Sequence, residues 1–262
     1  PEKAMTSYTQ AITQNPDTEG MGLLQIGLLS LKLGNKEKSR KYLAETFKLG
    51  NQNVAGLVAL GMCYAELKDY ISARMVWEEL HTITQNPEVA RNLANLNYLV
   101  ARMEIRKSHY YRAIRSLQQC MKYRENREGV ESILSEVFFR LGTQEMFYND
   151  PEKQRPRKFF NFAAQFQPKN AYIHYYLGHA LLQMEEFKKA LSCFQRAYEI
   201  KPKPQFIRQI CLARILLRDP GSKPLLMELP VDPASPSNLF ITAWFETCYY
   251  LAFEQWEKAR HL

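Results

Sequence analysis

The feature that most constrains this chain is a spacing. A small residue recurs at Ala4, Ser39, Ala73, Ala113, Pro156, Ala190 and Ala259, in steps of 35, 34, 40, 43, 34 and 69 residues. The last step is close to two periods. The context repeats as well. Ala190, Phe194, Ala197 and Pro202 recur as Ala4, Tyr8, Ala11 and Pro16. Leu177-Gly178 recurs as Leu60-Gly61, followed by Tyr64, Ala73 and Trp77, and as Ile26-Gly27, followed by Ser39 and Leu43. A period near 34 residues builds stacked units rather than one globular core.

The residues explain why each unit is a pair of helices. Gly178 and Gly61 carry no side chain, so a neighbouring helix can approach closely. Ala190 and Ala197, seven apart, do the same on the second helix. Leu177, Leu181 and Phe194 fill the space between the two. Pro16, Pro87 and Pro202 follow helix ends, because proline cannot continue the hydrogen-bond ladder. The short turns at Lys68-Asp69 and Glu185-Glu186 suit a tight helical hairpin. First helices are expected near 18–33, 54–67, 88–107, 128–142, 171–184, 203–218 and 238–253. Second helices are expected near 36–49, 70–83, 110–123, 156–166 and 187–200.

Two places break the pattern. Between Gly142 and Pro156 the turn reads as about nine residues too long, so 143–155 is taken as an inserted, exposed loop. Pro156 would open a shortened helix at its first position. The stretch 219–237 is rich in proline and reads as a degenerate repeat or linker. The chain opens in a second helix (Pro1–Gln14) and closes partway into another (Trp256–Leu262), which suggests a fragment of a longer array.

The pattern resembles the tetratricopeptide repeat family: an aromatic residue, Leu-Gly, an aromatic, Ala, an aromatic, Ala and Pro. Residues 171–202 match it best, with His174 at the usual Trp and Leu181 at a usual aromatic. The resemblance covers nearly the whole chain and implies an all-α, right-handed superhelical solenoid of antiparallel helix pairs. About seven full or partial repeats would span 1–262 as one solenoid. It also implies that one face of the first helices lines a concave groove that receives ligands. Carried onto this chain, that face offers Met21, Leu24, Leu28 and Leu31, then Ala55, Val58, Met62 and Ala65. Next come Asn95, Tyr98, Arg102 and Ile105 with Arg106 beside them, then Gly129, Ser132, Glu136 and Phe139, then Tyr172, Tyr175, His179 and Leu182. Some family members grip a C-terminal carboxylate with Lys, Asn and Arg on this face. Here only Arg102 fits, so that mode is not expected.

Reaction chemistry is hard to place. His174 and His179 are five apart and diverge by about 140° on a helix, so they cannot share a metal. There is no zinc-binding His or Cys set, no phosphate-binding glycine loop, no dinucleotide fingerprint and no nucleophile elbow. The reading is a non-enzymatic chain with no cofactor and no metal site. At 46% hydrophobic and 24% charged, it is an ordinary folded composition without a bilayer-spanning run. Five cysteines, odd in number and widely spaced, read as reduced core residues and point to the cytoplasm.

The expected function is a protein-interaction scaffold that holds a peptide or partner helix. The candidate groove set is Tyr98, Arg102, Arg106, Tyr172, Tyr175, His179, Met21, Leu24, Leu28 and Met62. Tyr and Arg are favoured hot-spot residues, and Met adapts to a partner. Two arginines four apart would select an acidic element. The alternative is an RNA-binding helical repeat. The net charge is +8, and residues 101–158 hold 13 Lys and Arg against 8 Asp and Glu, with Tyr98, Tyr110, Tyr111 and Tyr123 interleaved.

Overall fold

The helices are delimited by their own turns. After the first helix of a pair, one residue enters the left-handed region: Gly34 (φ 75°), Lys68 (62°), Ser108 (59°), Glu185 (59°) and Arg218 (53°). Each time the same two backbone bonds form. At the second turn Lys68 N–H donates to Ala65 and Asp69 N–H to Tyr64. At the fourth, Glu185 donates to Leu182 and Glu186 to Leu181. This is the Schellman closure, and it satisfies carbonyls that the helix leaves open. The residue that completes it then starts the next helix. Asn35 and Asp69 accept from Lys38 N–H and Ser72 N–H, three residues on, as N-caps.

The structure is a computed structural model, which describes residues 2–15, 19–50, 53–124, 127–147, 154–219, 221–222, 224 and 236–254. Over these residues it is helical, and none of them lies in a strand. The chain divides into two compact units, Pro1–Val130 and Glu131–Leu262. The first holds α1 (Glu2–Gln14), α2 (Glu19–Lys32), α3 (Lys36–Lys48), α4 (Val54–Glu66), α5 (Tyr70–Thr84), α6 (Pro87–Arg106) and α7 (Tyr110–Tyr123). Helix α8 (Glu128–Glu145) begins at the boundary. The second unit continues with α9 (Gln154–Phe166), α10 (Ala171–Gln183), α11 (Phe187–Ile200), α12 (Pro204–Leu216) and α13 (Pro236–Ala252).

In the first unit, Leu24, Leu43, Leu57, Leu60, Trp77, Leu80, Leu93 and Leu96 form a continuous core. In the second, Phe160, Leu177, Leu181, Phe194 and Ile210 do so, followed by Cys211, Ile215, Phe245 and Tyr249. The small residues sit where the spacing put them: Ser39, Ala73, Ala113 and Ala190 are each 0% exposed. The partner of each helix-packing glycine is also fixed. A Cβ at Gly178 would lie 2.5 Å from Phe194, and one at Gly61 2.5 Å from Trp77. Gly27 faces Leu43 in the same way, again sixteen positions on.

The long turn is shorter than its sequence suggests. α8 runs on to Glu145 and α9 begins at Gln154, so both ends of 143–155 are helical. Pro156 is buried at the third position of α9, not the first. Gly142 still meets the ring of Phe160, only two positions beyond the usual interval. Residues 148–153, most of 219–237 and the closing Trp256–Leu262 with Ala259 lie outside the described residues.

Candidate functional site

Helices α4 and α6 are both first helices of their pairs, and they flank a groove of about 600 Å³ in the first unit. α4 contributes Val54, Val58, Met62 and Ala65, at steps of four, four and three, which is one helical face. α6 contributes Asn92, Asn95, Leu96 and Leu99. Trp77 and Leu80 of α5 reach in from below. Met62 is 47% exposed and Val54 44%, so this apolar lining is open to a ligand. Asn92 and Asn95 are exposed on the α6 wall, and their side-chain amides make no hydrogen bond to the described residues. Each offers two donors and an acceptor, the complement of a peptide backbone. Of the neighbouring polar groups two are already engaged, while the exposed Glu88 carboxylate stands in the lining beside them. Asn86 caps α6 by accepting from Glu88 N–H at 2.8 Å, and Glu66 pairs with Lys36 at 2.5 Å.

The far flank of α6 is basic. A smaller cavity of about 390 Å³ is lined by Pro87, Ala90, Arg91, Ala94, Asn95, Tyr123 and Arg124. Asn95 therefore stands on a ridge between the apolar groove and this side. Tyr98, half-buried nearby, has the Arg102 guanidinium 6.0 Å from its ring centroid and that of Arg124 at 5.8 Å. Such cation–π contacts orient the guanidinium groups over the ring. Arg106 is exposed one turn beyond Arg102.

The expected residues are thus distributed unevenly. Met62 lines the groove. Tyr98, Arg102 and Arg106 lie together on α6 but beside the groove, not in it. Leu24 is 5% exposed and packed against Gly56, which corrects its assignment to the open face. Leu28 is partly buried against the same core, whereas Met21 is 69% exposed. Tyr172, Tyr175 and His179 belong to the second unit. Tyr175 and His179 pack on each other at 4.5 Å and on Phe194 at 5.9 and 5.3 Å. Burial holds the Tyr175 phenol above its ordinary pKa and the His179 imidazole below its own. These two are half-buried packing residues between α10, α11 and α12. Tyr172 is more open. Lys203 donates to its hydroxyl and sits 5.0 Å from its ring, and that hydrogen bond lowers the phenol pKa.

Asn92, Leu99, Trp77 and Arg124 were not among the expected residues. For Asn92 the reason is length: α6 has 20 residues where α4 has 13, so its first turns extend past the repeat and add to the groove wall. The signal was available: Asn92, Asn95, Leu96 and Leu99 follow helical spacing among themselves.

Among the described residues no group of His, Cys, Asp or Glu is placed to hold a metal, and no helix is long and apolar enough to cross a membrane. No two of the cysteines form a disulfide, and burial pushes the Cys193 thiol up to about 11.

A family profile described as Tetratricopeptide repeat matches residues 171–204. No curated protein sequence matches significantly. Among solved structures the chain is similar to the TPR2AB-domain:pHSP90 complex of yeast Sti1, at 14% identity, over 90% of this chain and 99% of that one, with a TM-score of 0.37. It is similar to Pseudomonas aeruginosa pilF at 14% identity, over 87% and 98%, with a TM-score of 0.38. A third is YrrB, described as a TPR protein with an unusual peptide-binding site, at 16% identity, over 76% and 94%, with a TM-score of 0.30. The matched residues 171–204 span α10 and α11, one of a series of helix pairs in this chain, and they are similar to a tetratricopeptide repeat.

Proposed function

We propose that the chain is a non-enzymatic interaction scaffold and that the α4–α6 groove of its first unit receives a peptide or helix of a partner protein. One observation carries this reading. The groove is apolar and open, and its α6 wall presents two asparagine amides, Asn92 and Asn95, that the fold does not use. Apolar side chains of the partner would displace water from Val58, Met62 and Leu99, while the amides pair its backbone. Arg102, Arg106 and Arg124 would take an acidic residue of the same partner. Two guanidinium groups beside one ring, with no carboxylate partner among the described residues, favour an anion.

The RNA alternative is less well supported. Arg102, Arg106 and Arg124 lie near one flank of α6, whereas Arg112 and Arg115 line a different cleft, so the basic residues form no single track.

The test is a pull-down with the intact protein, followed by affinity measurement on the partner identified. Met62→Glu should weaken binding by about 1–3 kcal/mol, since it buries a charge in the apolar contact. Arg102→Ala with Arg106→Ala should cost about 1–3 kcal/mol, the range of charged hydrogen bonds. Neither change should lower the melting temperature, because all three side chains are exposed. Partner binding unaffected by both would remove the groove reading. A tight complex with poly-uridine that collapses between low and moderate salt would favour RNA.

A further inference from the structure

The first unit has a second concave feature, on a different set of helices. The second helices α5 and α7 flank a cleft of about 590 Å³, closed below by Val100 and Glu104 of α6. It differs in character from the α4–α6 groove, because its lining is mostly polar and it holds three guanidinium groups: Arg74, Arg112 and Arg115. Two carboxylates share it, and both are already engaged. Glu78 lies 3.6 Å from Arg74, and Glu104, only 7% exposed at its side chain, pairs with His109 at 2.9 Å. Arg112 and Arg115 have no carboxylate partner among the described residues. They are three apart on α7, so they stand on one face and can share one acidic ligand. Arg74 Nε is buried and makes no hydrogen bond, but it faces Glu78 Oε1 at 3.6 Å, so this third guanidinium is already held by a carboxylate.

The rim is aliphatic. Ile71, which lines the cleft, is 45% exposed, and Met75, one turn along α5, is 61% exposed. Exposed aliphatics beside unpaired arginines are the mixture found at protein contacts. The two carboxylates argue against a polyphosphate backbone, which they would repel along its length. Discrete carboxylates on a folded or folding segment avoid that repulsion.

We propose that the α5–α7 cleft is a second recognition site, for a protein segment that carries two carboxylates beside an aliphatic side chain. The acidic groups pair with Arg112 and Arg115, and the aliphatic side chain covers Ile71. The site is independent of the α4–α6 groove, so one chain would hold two segments at once.

The experiment is panning of a random peptide display library on the intact chain. The expected result is a class of peptides with paired Asp or Glu next to Leu, Ile, Met or Val. That class should fall at least about tenfold in enrichment on Arg112→Glu with Arg115→Glu, a charge reversal at an exposed pair. It should persist on Met62→Glu, which disables only the α4–α6 groove. Arg115→Glu alone gives the same readout if the double variant does not fold by circular dichroism. The proposal is overturned if no acidic class is recovered, or if the class survives both charge reversals. It is also overturned if poly-uridine competes the peptides away in an Arg115-dependent manner, which would assign the cleft to RNA. Failure of the α4–α6 reading looks different: it is the absence of any peptide class lost on Met62→Glu.

Discussion

At the scale of single residues, glycine has opposite meanings at two positions. Gly178 is buried against Phe194, and an added Cβ would come within 2.5 Å of the ring. Gly129 on α8 has nothing within 4 Å. Helix propensity alone favours alanine by about 1 kcal/mol at either site. At Gly178 the ring cannot withdraw, because Phe194 is fully buried against Tyr175 and His179. Gly178→Ala should therefore destabilise by about 1–3 kcal/mol, the usual cost of overpacking, and Gly129→Ala should stabilise by up to about 1 kcal/mol. Urea midpoints of the two variants check the contrast. His179 makes a second prediction. Burial lowers its pKa in the folded state, so the unfolded chain binds more protons below the ordinary value of 6.5. Its contribution is complete above pH 6.5 and is lost as pH falls through the lower folded value. His179→Gln should flatten the decline in melting temperature on the acid side, and an unchanged acid slope would show that His179 does not titrate with folding.

At the scale of elements, the repeated turn puts non-glycine residues where left-handed backbone is required. Lys68, Ser108 and Glu185 occupy the position that Gly34 holds in the first hairpin. A side chain there is strained by about 1–2 kcal/mol, so Lys68→Gly should stabilise, by about 0.5–1 kcal/mol after the loss in unfolded-state entropy. Asp69→Ala should cost about 1 kcal/mol, since the cap on Ser72 N–H is lost. Thermal melts of both variants test the same turn from its two sides. These turns were legible in the sequence only in part. Lys68-Asp69 and Glu185-Glu186 stood out by their position between apolar runs, and the Leu-Gly and Ala spacings fixed which helices pair. What the spacing did not carry was rotation about each axis. α6 begins about two turns earlier than α4 does; of the ligand-facing positions inferred by register, Asn95 lines the groove, Tyr98 and Arg102 lie beside it, and Asn92 and Leu99 line it as well. Leu24 shows the companion limit. An aliphatic residue on a first helix can face either the next repeat or solvent, and only the packing of Gly56 against it decides. Arg124 approaches Tyr98 from the far end of α7, the second helix of the same pair, 26 positions on, and no local pattern announces that.

At the scale of the whole molecule, two compact units each carry their own core. Packing in such an array is between neighbours, so damage should stay local. Phe194→Ala should cost about 3–5 kcal/mol and Leu80→Ala about 2–5 kcal/mol. Hydrogen exchange should then rise over 171–216 for the first and over 54–106 for the second, with the other unit little changed. Uniform loss of protection across the chain in either variant would mean that the units unfold as one. The α8–α9 connection has a further consequence. Eight residues join these helices where three suffice at α10–α11, yet Phe160 still seats against Gly142 as Phe194 does against Gly178. The hairpin is thus registered by its side chains and not by the length of its link. For a protein engineer that makes the link a splice point: a tag or fluorophore-binding sequence introduced after the exposed Phe147 should be carried without changing the melting temperature, while the same insertion at Lys68-Asp69 should unseat both helices.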